Sequence, residues 1–323
     1  MTSENKRAVL AAGSGFLGRT LAGRLAKRGW EVVVLTRRPE AYRGEGRAVF
    51  WDGRTIGAWA NELEGARALV NLTGKNVNCR PTARNEREIL TSRVASVRVL
   101  GQALAGCRVK PAVWVQCSSL AIYGDPGDRI CDENAPVAEG YPASVCTAWE
   151  EALDEACPED VRNVILRIGF VMGRDDGALP FLARLVRLGL GGSIGNGRQW
   201  ISWIHLRDMS AIFLQAIADR HWSGVFNVTT PEPVTNRELM KQLRRTLDRP
   251  WSPPALKPFV WLGGWVLDSD PRVGLSGRRC VSSRLEECGF SFVFPNLAQA
   301  LGDLFPSVVV DFKPYTNNKT ERK

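Results

Sequence analysis

Six residues near the amino end, Gly13-Ser14-Gly15-Phe16-Leu17-Gly18, restrict the fold more than any other feature of the chain. They have the spacing G-x-G-x-x-G, follow the apolar run Ala8-Val9-Leu10-Ala11-Ala12, and precede an amphipathic stretch from Arg19 to Arg28 that closes on Gly29. A strand, a glycine turn and a helix in that order open a βαβ unit of the dinucleotide-binding kind. Glycines let the main chain approach a diphosphate, and the free N–H groups at the helix start receive its charge.

The alternation continues downstream. Glu31 to Leu35, Ala68 to Leu72, Ala112 to Cys117 and Val164 to Arg167 read as strands, and Asn85 to Ala105 and the stretch around Ala148 to Ala156 as helices. This predicts an α/β fold, a Rossmann-type doubly wound parallel sheet with a smaller substrate-side lobe. After Gly173 the character changes. Glycines and aromatics crowd Gly189 to Trp203, prolines cluster at Pro250, Pro253, Pro254 and Pro258, and a helix from Asn236 to Leu247 lies between. The expected organisation is a dinucleotide-binding domain over 6–172, with 222–230 able to return to it. A substrate-side lobe and C-terminal segment over 173–310 and a flexible tail over 311–323 complete it.

Composition narrows the function. The net charge of +9 is scattered, with no basic run of five residues and no nucleic-acid-binding motif, so it reads as a surface that attracts anionic small molecules. No nucleic-acid partner is expected. Eight cysteines without a C-x-x-C pair, and histidines only at His205 and His221, exclude the usual metal spacings and suit a reduced compartment. The amino end lacks a signal-peptide core, and the apolar stretch from Phe259 to Leu267 is nine residues where a membrane span needs ~20. A cytoplasmic protein without membrane attachment, a monomer or homodimer, is expected. Trp251, Trp261 and Trp265 with Phe259 read as an apolar face for core packing or a dimer contact.

The end of the second strand separates the two nicotinamide cofactors. NAD binders place a carboxylate there for the ribose hydroxyls, and it would repel a 2′-phosphate. Here stands Thr36-Arg37-Arg38-Pro39, whose hydroxyl and guanidiniums suit a phosphate. NADP(H) is favoured over NAD(H).

With these residues in view, the chain resembles the extended and atypical short-chain dehydrogenase/reductases. More narrowly, it resembles the NAD-dependent epimerase/dehydratase-like family of uncharacterised sugar-nucleotide epimerase homologues, which carries a small C-terminal domain. The likeness runs from about Ala8 to Leu304 in ten ordered matches. Beyond the loop and Thr36-Arg37-Arg38-Pro39 they include Val70-Asn71-Leu72-Thr73-Gly74, Arg87 to Arg93, Ser118 to Asp125 and Val145 to Glu150. Further on come Leu166 to Gly169, Gly195 to Trp200, Trp203-Ile204-His205 with Asp208, and a tail with Arg284-Leu285, Gly289-Phe290 and Phe294-Pro295. The resemblance implies cofactor contacts at Thr36, Arg37, Leu72, Thr73, Glu88, Arg93 and near Val171. Gly74, Arg38, Ser118 and Arg167 complete the candidate cofactor set. One departure stands out: extended reductases write T-G-x-x-G-x-x-G, and Ala12 replaces the first glycine.

The resemblance also implies a Ser, a Tyr and a Lys in Y-x-x-x-K, the Tyr exchanging a proton with substrate. Ser119, four residues before Tyr123, holds the place of the Ser, with Ser118 as its alternate. Tyr141 stands near the place of the Tyr, but Val145 follows four residues on and no lysine is present. Without that cation a phenol titrates at ~10 and is a poor base at neutral pH. His205 and Tyr123 are the other acid–base candidates; Cys146 reads as a buried structural thiol and Asp208 as a group orienting its helix or His205. Arg198, Gln199 and Trp200 in a glycine-rich loop suit an anionic or sugar-bearing ligand. The expected function is NADP(H)-dependent oxidoreductase or epimerase-like chemistry on a small polar substrate, a nucleotide sugar being one such. The alternative is a non-catalytic NADP(H) sensor.

Overall fold

The computed structural model describes residues 6–255, Pro258 and 270–306. In chain order the elements begin with β1 (Arg7–Ala11), α1 (Phe16–Ala26), β2 (Glu31–Thr36), β3 (Arg47–Phe50), β4 (Ala68–Asn71) and α2 (Ala83–Ala105). Then come β5 (Val113–Ser119), β6 (Ile130–Cys131), α3 (Tyr141–Ala156), β7 (Arg162–Ile168), β8 (Phe170–Met172) and α4 (Leu179–Arg187). β9 (Trp200–Ile201), β10 (Trp203–His205), α5 (Leu206–Ala218), β11 (Gly224–Val228), β12 (Val234–Thr235) and α6 (Asn236–Thr246) follow. Beyond them lie β13 (Arg279–Cys280) and short helices at Arg272–Leu275, Ser283–Glu287 and Leu297–Leu304.

Seven strands form one parallel sheet in the order β3-β2-β1-β4-β5-β7-β11. Its central strands are apolar on both faces because helices cover both; Ala8 to Ala11 are wholly buried. The chain leaves β1 for β2 and β3 on one side, then crosses back to β4 on the other. The carboxyl ends of β1 and β4 therefore flank the crevice where such sheets receive ligands.

Two helices start earlier than the apolar periodicity suggests. α1 begins at Phe16 rather than Arg19, directly from the glycine turn, with Gly15 as its extended N-cap. α3 begins at Tyr141 rather than near Ala148, because Pro142 in its first turn gives up no needed N–H there. The edge strand β3 is half-exposed and lacked a readable apolar run. A second apolar cluster joins Met172, Trp203, Leu239, Leu243 and the helix Leu297–Leu304 beside the main core. Trp251 is 75% exposed; Phe259, Trp261, Trp265 and the apolar stretch around them lie outside the described residues, as does 311–323. Among the described residues no helix is long and apolar enough to cross a membrane.

Candidate functional site

The glycine turn is built by close approach at one end and open space at the other. A Cβ placed on Gly18 would lie 2.2 Å from the Gly13 carbonyl oxygen and 2.5 Å from its carbon, so only glycine lets α1 sit this near β1. A Cβ on Gly15 would meet nothing within 4 Å. That space lies at the start of α1, where free N–H groups and the helix dipole favour an anion. Ala12 takes the left-handed φ of +55°, the conformation a glycine would adopt without strain.

Around the turn, Thr36 donates its hydroxyl to Ser14 Oγ at 3.0 Å. Arg19 donates to the Ser14 carbonyl at 2.9 Å and pairs with Asp176 at 2.6 Å. The Phe16 ring lies against Gly173 and Gly177, and Leu17 packs on the core. Arg37 and Arg38 are exposed at the end of β2, and neither guanidinium has a partner among the described residues.

Past β4, Leu72 continues its pairing to the Ala11 carbonyl, and Thr73 N–H is held by Asn71 Oδ1 at 3.1 Å. The Thr73 hydroxyl is buried without a protein partner. Gly74 lies against the Arg93 guanidinium. Lys75 bonds Asn85 at 2.7 Å and Glu88 at 2.5 Å, and Arg84 bonds the other Glu88 oxygen at 2.9 Å. These two hydrogen bonds hold the Glu88 carboxyl down to about 2. Val171, in β8, is paired with Ile204 of β10.

Open space over Gly15, two unpaired guanidiniums one strand away and an orphaned Thr73 hydroxyl together fit a dinucleotide carrying an extra phosphate. Gly13 to Gly18, Thr36, Arg37 and Thr73 are the residues able to hold it.

Beneath this crevice runs a buried polar chain. Ser118 donates to Glu150 at 2.5 Å, and Arg167 grips the same carboxylate with Nε at 3.0 Å and Nη2 at 2.7 Å. Arg167 also donates to the Tyr123 hydroxyl at 2.8 Å, and that hydroxyl donates to Asn227 of β11 at 2.9 Å. Burial works against the Arg167 charge, but Glu150 more than offsets it and raises its pKa. Burial pushes the Tyr123 phenol up to about 12. Tyr123 is wholly buried and its oxygen is spent within the chain, which takes it out of the acid–base candidates. Ser118 and Arg167 likewise belong to the floor beneath the crevice.

His205 is also an interior group. Its Nδ1 accepts the Arg207 N–H at 3.0 Å, capping α5, its Nε2 faces Asp303 at 3.3 Å, and its ring packs on Phe294 at 4.0 Å. Burial lowers its pKa against the pull of Asp303 and Asp208. Asp208, expected to orient its helix start or His205, accepts the N–H groups of Val293 and Phe294, both at 2.9 Å. The pair docks the C-terminal segment and is not an acid–base couple. Cys146 is buried, its thiol pushed up to about 11 by burial.

Of the four catalytic candidates, Ser119 and Tyr141 remain accessible. Ser119 ends β5, half-exposed, its Oγ accepting the Ala121 N–H at 3.2 Å. Tyr141 opens α3, half-exposed, its hydroxyl donating to the Glu86 carbonyl at 2.8 Å. α3 packs against the turn Leu120–Tyr123 that follows Ser119, so both lie at the carboxyl side of the sheet.

A cavity of about 280 Å³ is lined by Asp125, Asp128, Asn196, Arg198, Gln199 and Trp200 among others. Trp200 donates to Asp128 at 2.7 Å and carries Arg279 4.4 Å above its ring. Gln199 is tied to the Ile194 and Gly274 carbonyls, while Arg198 is exposed. Sequence reasoning found the loop side of this cavity and missed Asp125, which closes the Ser118 to Asp125 match without a role of its own there, and Asp128, which lies beyond that match. It also missed Arg19, Glu150 and Asn227, whose partners lie far away in sequence.

Comparison with known proteins bears on this geometry. Residues 9–229 match the model of the NAD dependent epimerase/dehydratase family, and residues 270–304 match a domain of unknown function, DUF1731. The epimerase family protein SDR39U1 of Bos taurus is 32% identical over 305 residues, covering 92% of this chain and 99% of the relative. The epimerase family protein YfhF of Bacillus subtilis is 29% identical, covering 92% and 97%. Among solved structures, human SDR39U1 (isoform 2) with NADPH superposes with a TM-score of 0.83 at 28% identity, covering 94% of this chain and 100% of the other. MoeE5 in complex with UDP-glucose and NAD, at 20% identity and a TM-score of 0.73 over 93% and 97% of the two chains, shares the fold.

Proposed function

Because the chain belongs to the NAD dependent epimerase/dehydratase family, we propose that it binds NADP(H) and carries out hydride-transfer chemistry on a small polar substrate. A nucleotide sugar is the class its polar cavity suits. The observation that carries the reading is the open cradle at Gly15 set beside the unpaired Arg37 and Arg38.

When bound, NADP(H) supplies or takes up the hydride. The chain's own residues do the rest. The start of α1 and Arg37 hold phosphate charge, Ser119 orients a substrate oxygen from the end of β5, and the Tyr141 phenol gives or regains the proton at that oxygen. Asp125, Asp128 and Arg198 offer acceptors and a donor to ring hydroxyls and a charged group. The proposed setting is the cytoplasm.

Titration with NADPH and NADH tests the cofactor, and transfer of label from 4-deuterated NADPH into a panel of nucleotide keto-sugars, whose carbonyl carbon accepts the hydride, tests the chemistry. NADPH binding with label transfer is the expected result; no transfer across a broad panel overturns the catalytic reading. A second reading, an NADP(H)-binding sensor without chemistry, is favoured by Val145, which leaves α3 without a cation one turn after Tyr141. Tight NADPH binding, no label transfer, and unchanged cellular function in Ser119→Ala and Tyr141→Phe would select it.

A further inference from the structure

A phenol exchanges protons near neutral pH only when a positive charge stands close to it. Tyr141, Val145 and Trp149 fall on one face of α3 at intervals of four, and that face supplies no such charge. α2 packs against α3, and on α2 Glu86 and Arg93 stand seven residues apart, two turns along one stripe.

The two stripes meet. Tyr141 donates to the Glu86 carbonyl at 2.8 Å, and the Arg93 guanidinium lies 5.0 Å from the centre of the Trp149 ring. Arg93 folds back to donate to the Ile89 carbonyl at 3.0 Å and the Lys75 carbonyl at 3.3 Å, which brings its charge toward the Tyr141 end of the helix and against Gly74. Among the described residues no carboxylate pairs with it, so its charge is not cancelled locally. Neighbouring Lys75, by contrast, is paired with the Glu88 carboxylate, which it shares with Arg84.

We propose that Arg93 is the positioning residue that supplies, from α2, the positive charge that α3 lacks at Val145, and that it does so for the Tyr141 phenol. This rests on the reading of Tyr141 as the proton-exchanging group. The Tyr141 pKa is raised overall, first by burial, then by Glu86, with Cys79 adding to the rise, and Arg93 and Arg272 are the charges that pull against it. Of the two arginines, Arg272 is already paired with Glu86 at 3.1 Å and Asp270 at 2.8 Å, which leaves Arg93 as the uncompensated charge.

The test is a titration that needs neither substrate nor turnover. A fluorinated tyrosine whose phenol ionises near neutral pH is placed at position 141 of the full chain, and its 19F resonance is followed against pH. Arg93→Met should move the midpoint up by about one pH unit, and Arg93→Lys should leave it within a few tenths. Arg272→Met should move it less than Arg93→Met. Arg93→Gln serves if the methionine variant fails to fold, with circular dichroism as the check. An unmoved midpoint in folded Arg93→Met or Arg93→Gln overturns the proposal, and so does a larger shift from Arg272→Met. Failure of label transfer would strike the proposed function and leave this measurement standing.

Discussion

The same substitution placed three residues apart in the glycine turn should separate cofactor binding from stability. Gly18→Ala puts a methyl 2.2 Å from the Gly13 carbonyl oxygen and 2.5 Å from its carbon, where ordinary contact begins near ~3.5 Å. Neither atom belongs to a flexible side chain, so α1 must lift from β1. Overpacking of this kind costs ~1–3 kcal/mol, and backbone on both sides argues for the upper end. At ~2 °C per kcal/mol for a large chain, Tm should fall by ~6 °C. Gly15→Ala meets nothing within 4 Å, and its φ of −82° and ψ of −174° are open to any L-residue. Losing a little as an N-cap and gaining from a stiffer unfolded chain, it should change stability by no more than ~0.5 kcal/mol. Its methyl, however, stands in the cradle, and NADPH affinity should drop by at least ~10-fold, or ~1.4 kcal/mol. Thermal unfolding by circular dichroism and calorimetric NADPH titration read the two effects. Equal losses of Tm in both variants, or undiminished NADPH affinity in Gly15→Ala, would refute the reasoning.

Other expectations follow from the same geometry. Arg37→Ala should lower the preference for NADPH over NADH by ~10–100-fold, the worth of a charge-assisted contact of ~1.5–3 kcal/mol; an unchanged ratio of dissociation constants would exclude it as the phosphate reader. Tyr123→Phe removes the hydroxyl between Arg167 and Asn227 and should cost ~1–3 kcal/mol in urea unfolding. NADPH affinity should stay as it was, and a loss of binding with stability intact would contradict the interior role. His205 is kept neutral in the fold by burial, so the unfolded chain takes up its proton first. The stability it gives is present above ~6.5, the unfolded value, and falls with pH below that, by at most ~1.4 kcal/mol per unit. His205→Asn keeps the cap on α5 and should flatten the urea midpoint between pH 7 and pH 5, whereas a slope like the parent's would show that another group titrates.

The parts of the molecule legible in sequence were those written in consecutive residues. The glycine turn, the apolar central strands and Thr36-Arg37 each carry their meaning locally, and the parallel sheet follows from their alternation. β3 escaped because an edge strand of Arg47-Ala48-Val49-Phe50 need not be apolar, and the start of α3 because Tyr141-Pro142 reads as a turn until its helix is seen. At the site the limit was distance along the chain. Tyr123 and Asn227 are 104 residues apart, and Asp208 meets Val293 and Phe294 more than 80 residues later. A histidine or tyrosine with so remote a partner looks, in sequence, like an unemployed one.

The position of β11 has a consequence for how the protein is made. Its partner β7 ends at Ile168, and the chain then builds β8, α4, β9, β10 and α5 before Gly224 arrives to complete the sheet. A nascent chain that has just finished β7 leaves the ribosome with one flank of its sheet bare and the Tyr123 phenol lacking its acceptor. Bare flanks invite pairing with other chains. A fragment cut after residue 172 should inherit that defect permanently, and soluble expression should begin only with fragments that run through Val228.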